Sequence, residues 1–242
     1  MQIPSNVIAN ADDLGFNHSI NTAILFCFEQ GYINSTSIMV NMLFFDEAVN
    51  LIHQNDFIRN IGVHVNLAEG KPVTDFKLAE YLDENGNWDF KKVNRKINFL
   101  SAEAKVAFSK EIYGQVDKAL SNKISISHID SHCHLHTLPC FYKLFLEVAQ
   151  HYKLKIRLAQ TYSEGNFVNF YYRKYINNAF KKNNSNYSEY FEDAKHFFDN
   201  RGHSRNGVVE IMLHPDYEAA GKLSDHFDAD GFQTWIDFLS KQ

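Results

Sequence analysis

Four short clusters of carboxylates and imidazoles carry the chemistry this sequence can do. Asn10-Ala11-Asp12-Asp13-Leu14-Gly15 sets two adjacent acids at the end of an apolar run, and Gly62-Val63-His64-Val65-Asn66-Leu67 sets one histidine inside another. Ser127-His128-Ile129-Asp130-Ser131-His132-Cys133-His134-Leu135-His136 places four histidines and one aspartate at alternate positions. Glu210-Ile211-Met212-Leu213-His214-Pro215-Asp216 ends a further apolar run on a histidine and a proline. Each has a plain structural reading: a capped turn for the acids, a satisfied core position for a lone histidine, a surface or adventitious metal tract for the histidine run. So many imidazoles are nevertheless costly to bury without a metal, partner carboxylates or water. Mixed nitrogen and oxygen donors suit a divalent cation.

The elements that must position these clusters alternate. Apolar runs at Val7–Ala11, Thr36–Val40, Ile61–Val65, Ile124–Ile129, Lys155–Leu158 and Val208–Leu213 read as strands. Helical spacing follows Asn17 up to Gly31, then covers Phe45–His53, Ala102–Leu120 with Ser101 as its cap, Pro139–Tyr152 and Phe232–Leu239. Strand–helix alternation predicts βα units and a mostly parallel sheet. The expected fold is α/β: a distorted, TIM-like (β/α) barrel, complete or incomplete, in a single domain. Two stretches break the rhythm, 68–100 and 163–206, and read as insertions that shape a substrate site; within the second, a helix is expected near Tyr187–Phe198. All four clusters fall at or just past the C-terminal ends of expected strands, where parallel α/β folds build their sites.

Composition narrows the partners. Apolar residues make up 45% and charged residues 22% of 242, which excludes disordered and collagen-like chains. A net charge of -5 with scattered Lys and Arg leaves no basic stripe for nucleic acid. Three cysteines, Cys27, Cys133 and Cys140, form no C-x-x-C pair and no disulfide framework, so reduced thiols in a cytoplasm are expected. The opening residues show no signal peptide, and no run of about 18 apolar residues would span a membrane.

The motifs A-D-D-x-G, G-x-H-x-x-L, H-x-D-S-H-x-H-x-H and E-x-M-x-H-P stand in one order over nearly the whole chain, which resembles the YdjC-like (ChbG-like) carbohydrate deacetylase family. Leu14 and Asp216 depart from the family's usual Phe and Gly or Ala, at positions that are not proposed ligands. The resemblance implies a distorted barrel holding one divalent metal through Asp13, His64 and His132, with magnesium or zinc expected and manganese, cobalt or nickel compatible. It implies hydrolysis of an N-acetyl group on an amino sugar or short chito-oligosaccharide by metal-activated water, with Asp12 as general base. His214 is the candidate acid. Asp130 and Arg157 are expected behind the ligands, orienting histidine, while His134 and His136 would line the pocket or touch sugar. His128 lies deeper, as a structural residue or otherwise. Aromatics such as Tyr162, Phe167, Phe170, Tyr171 and Tyr172 would serve packing, a homodimer contact or sugar stacking. A metal-dependent phosphoesterase on a similar barrel, or a non-catalytic metal- or sugar-binding protein, is the alternative. The particular sugar, its length and the metal are not written in the residues.

Overall fold

The computed structural model describes residues 2–94, 99–162, 165, 167–183 and 185–242. Seven strands form one all-parallel sheet: β1 (Val7–Leu14), β2 (Ser35–Ile38), β3 (Ile61–Val65), β4 (Ile126–Ser131), β5 (Lys155–Ile156), β6 (Tyr190–Asp193) and β7 (Val209–Leu213). The order is β5-β4-β3-β2-β1-β7-β6. The sheet curls, and backbone hydrogen bonds bridge its two edges. Tyr187 N–H reaches the Ile156 carbonyl at 2.8 Å, and Thr161 N–H reaches the Phe191 carbonyl at 3.0 Å. The result is the expected distorted barrel, in its incomplete form.

Its helices follow from local signals. In α1 (His18–Gln30), Asn17 accepts from Ile20 N–H at the start and Gly31 ends the helix at φ 72°. The next are α2 (Phe45–Gln54), the single turn α3 (Phe90–Val93), α4 (Ala102–Ser121), capped by Ser101 on Ala104 N–H, and α5 (Tyr142–Tyr152). They pack on the outer face of the strands, where Val7, Ala9, Ala11, Ile38, Val63, Ile129, Val209 and Ile211 are all buried. The alternate residues point into the barrel and are mostly polar: Asn10, Asp12, Ser35, Ser37, His64, His128, Asp130, Glu210.

The stretch expected to hold one helix at 187–198 instead supplies strand β6 and then α7 (Ala194–Asp199), with Asp193 capping His196 N–H. Before it runs α6 (Phe167–Lys182), and after β7 come the antiparallel pair β8 (Pro215–Tyr217) and β9 (Leu223–Asp225) and then α8 (Ala229–Leu239). The ranges 68–100 and 163–206 include positions outside the described residues. No described helix is long and apolar enough to cross a membrane.

Candidate metal centre and active site

Two acids on consecutive strand positions normally face opposite ways. Here β1 slips its register against β2 between Ala11 and Leu14, and Asp13 takes φ 70°. Aspartate enters this left-handed region more readily than most residues. The twist turns Asp13 to the same rim as Asp12, and both are buried.

Asp13 Oδ1 then lies 3.2 Å from His64 Nε2, at the end of β3, and 3.0 Å from His132 Nδ1, just past β4. The three residues set one ligand atom each within 4.8 Å of the others. Cis donors on a cation with bonds of about 2.1 Å stand about 3 Å apart, so this spacing fits a small divalent ion. The far side of His64 is fixed as metal-site histidines usually are: Nδ1 pairs with Asp130 Oδ1 at 2.8 Å, which turns Nε2 toward Asp13. Charge points the same way. Asp12, Asp13, Asp130 and Glu210 are buried around a single guanidinium, that of Arg157. Burial alone would lower the His64 and His132 pKa values. The carboxylates outweigh it, Asp130 and Asp12 chiefly at His64 and Asp13 at His132, and raise them to about 10 and about 12.

Asp12, Asp130 and His64 also converge as a second donor group, but a cation of the chain already sits on its two carboxylates. Arg157 is fully buried and holds Asp12 with both terminal nitrogens at 2.6 and 2.7 Å, Asp130 at 2.8 Å and Glu210 with Nε at 2.6 Å. Burial would raise the Asp12 pKa; Arg157 and His64 hold it below the ordinary range. Arg157 therefore acts on Asp12 and Asp130 and reaches His64 through those two carboxylates.

A cavity of about 480 Å³ opens beside this centre, lined among others by Asp12, His64, His132, His134, His214 and Phe227. His214 Nε2 is 3.8 Å from Asp12 Oδ2, and burial lowers its pKa. The histidine tract does not run on as a strand. Residues His132–Thr137 form a tight 3-10 turn in which Cys133 and His134 both take φ 53°. His134 is thereby brought to the cavity, whereas His136 is buried behind, bonded to Ser131 Oγ at 2.7 Å and set against Phe145. His128 stacks on Tyr187 at 4.0 Å and fills the space over Gly62. Of the named aromatics, Phe167 and Tyr171 lie exposed on α6 and Tyr172 bonds the Thr137 carbonyl.

Four contributors carried no role in the sequence reading. Glu210 anchors Arg157. Asp225 accepts the backbone N–H groups of His214, Phe227 and Asp228. His226 Nε2 stands 4.0 Å from Asp13 Oδ2, and Glu69 Oε1 stands 3.8 Å from His132 Nε2. Only Glu210 had a sequence signal, its place in E-x-M-x-H-P.

Fold and site together define an α/β half-barrel with a carboxylate–histidine centre at the C-terminal rim of its sheet. The YdjC-like protein family matches residues 6–235, and the chain belongs to that family. A carbohydrate deacetylase of Vibrio parahaemolyticus is 28% identical over 211 residues, covering 87% of this chain and 78% of the relative. One from Clostridium beijerinckii is 31% identical over 163 residues, covering 67% of this chain and 64% of the relative. A crystal structure of an Enterococcus faecalis protein named for cellobiose-phosphate cleavage superposes with a TM-score of 0.71 at 20% identity, over 88% of this chain and 82% of that one. This last likeness concerns the fold.

Proposed function

We propose that the protein is a carbohydrate N-deacetylase that hydrolyses the acetamide of an amino sugar or short chito-oligosaccharide to acetate and a free amine. The observation that carries this reading is the meeting of Asp12 and His214 across 3.8 Å at the cavity wall, beside the Asp13–His64–His132 cluster. The curated relatives named carbohydrate deacetylases supply the substrate class.

Asp13, His64 and His132 would hold one divalent cation, magnesium or zinc. When bound, such an ion polarises the amide carbonyl and makes water a stronger nucleophile. The remaining work falls to the chain. Asp12 Oδ2 takes a proton from the attacking water while Arg157 and Asn10 fix its carboxylate in place. His214 starts neutral, because burial lowers its pKa. It becomes the acid by receiving that proton through one water that both side chains contact, since 3.8 Å is beyond direct hydrogen-bond reach, and passing it to the departing amine. His134 borders the bound sugar. The phosphoesterase alternative gains nothing from Arg157, which is committed to three carboxylates, and has only Lys195 among the described lysines and arginines at the cavity wall.

The test is acetate release from N,N′-diacetylchitobiose by metal-loaded protein. Asp12→Asn should lose about 10²–10⁴-fold in turnover with metal content unchanged, as expected for a missing general base. Phosphate release from sugar phosphates without acetate release, or full turnover in Asp12→Asn, would refute the assignment.

A further inference from the structure

We infer that Phe227 is the stacking platform for the sugar ring, a specificity-determining residue placed at the cavity wall by Asp225. The inference rests on the carbohydrate reading above and goes further by naming the side chain that selects a pyranose.

Phe227 is 70% exposed, yet it lines the cavity that also holds Asp12, His64, His132 and His214. Among the described large apolar side chains with this exposure, the others, such as Leu43, Phe99 and Phe167, do not line it. Its exposure is not that of a loose loop. The buried Asp225 carboxylate takes Phe227 N–H at 2.8 Å and Asp228 N–H at 2.9 Å on one oxygen, and His214 N–H on the other. One carboxylate therefore fixes the backbone of the proposed acid and of the aromatic together. The Phe227 ring meets His214 edge-on, with centroids 4.5 Å apart at 63°, and meets His226 at 4.6 Å. Two imidazoles support the ring in place while most of its surface stays in water.

An apolar ring held in place at the wall of a polar cavity gains free energy when an apolar surface covers it. A pyranose supplies the cover: its axial C–H groups form an apolar patch that matches an aromatic face, while its hydroxyls stay free for polar neighbours. Seated on Phe227, the sugar lies against the residue that touches His214, which puts its acetamide near the Asp12–His214 pair. A small N-acetylated molecule without a ring gains nothing from this platform.

The experiment compares wild type, Phe227→Ala and Phe227→Tyr, all metal-loaded, in acetate release from N,N′-diacetylchitobiose. Alanine should raise KM about tenfold, the loss of roughly one stacking contact, and tyrosine should stay within about twofold of wild type. An unchanged KM in Phe227→Ala, or a loss confined to kcat, overturns the inference. Should wild type release no acetate from any N-acetylated sugar, the deacetylase reading fails by itself. Calorimetric titration with the same disaccharide then decides: weaker binding to Phe227→Ala supports the platform, and equal binding or none in both proteins overturns it.

Discussion

Arg157 is the residue on which three buried carboxylates converge. It is fully buried and spends its nitrogens on Asp12, Asp130 and Glu210. A guanidinium in this position stays charged, and each anchor removed leaves part of its fork unsatisfied. Glu210 is the anchor that makes no ion pair with Asp13, His64 or His132 among the described residues, whereas Asp12 and Asp130 both face His64. Burial raises its pKa to about 7, so it sits near the boundary between acid and carboxylate. Two substitutions separate its hydrogen bond from its charge. Glu210→Gln keeps an acceptor for Arg157 Nε and should cost about 1 kcal/mol of stability. Glu210→Ala leaves the guanidinium without that acceptor and should cost roughly 3–5 kcal/mol. It should also lower kcat, because Arg157 would no longer hold Asp12 in register. Urea denaturation and acetate-release kinetics on both variants check this; equal stabilities would mean that Glu210 does not anchor the arginine. At this scale the sequence marks candidate residues and conceals how they meet. Asp12 and Asp13 stand out as a pair, but their convergence depends on a left-handed backbone at Asp13 that aspartate tolerates without requiring. Asp225 and His226 had no signal, because nothing local marks an acid or histidine that is brought to the site by a hairpin.

The strands were legible wherever their outer faces carry unbroken Val, Ile and Ala against helices, as in β1, β3 and β7. β6 was not. Its four residues Tyr190–Asp193 are two aromatics followed by two acids, with no alternation to mark a strand, and the helix α7 that follows at once lends them a helical period. Helix α6 was hidden for another reason: Phe167, Val168, Tyr171 and Tyr175 are exposed, so its pattern shows no clean apolar stripe. The β3–β4 contact shows how a strand pair can store a pH response. His128 on β4 lies over Gly62 on β3, where an added Cβ would stand 2.3 Å from the ring, and stacks on Tyr187. Burial brings the His128 pKa down to about 4. The unfolded chain, with an ordinary histidine near pH 6.5, takes up the proton first. The contribution is therefore present above about pH 6.5 and lost as pH falls through 4, on the order of 3 kcal/mol in all. His128→Phe keeps a ring of similar shape and cannot be charged. It should be slightly less stable than wild type at pH 7, through the lost Ser127 hydrogen bond, and should lose less stability between pH 6.5 and 4. Denaturant midpoints across that range check it; parallel pH curves for the two proteins would place the acid response elsewhere.

At the scale of the whole molecule, the centre ties together segments that the chain keeps far apart. Asp13 ends β1, His64 ends β3 and His132 follows β4, so a ligand common to all three spans one side of the curled sheet. The barrel class was readable from βα alternation, but its partial closure was not. Closure depends on a few backbone bonds, Tyr187 to Ile156 and Thr161 to Phe191, which leave no mark on residue type. The folded state gains from any ligand that binds it alone, because such a ligand adds RT ln(1 + [L]/Kd) to stability. The unfolded chain cannot reassemble these three side chains, so a divalent cation should behave as such a ligand. At a concentration about 100 times its Kd it should add roughly 2.7 kcal/mol. For a chain of this size that is a rise in Tm of about 5–10 °C. Thermal melts with zinc or magnesium against melts with a chelator measure the increment directly. Asp13→Asn weakens one of the three donors and should shrink it severalfold, whereas Glu69→Gln, outside the triad, should leave most of it intact. A Tm indifferent to both cations and chelator would remove the metal from the centre while leaving the fold as described.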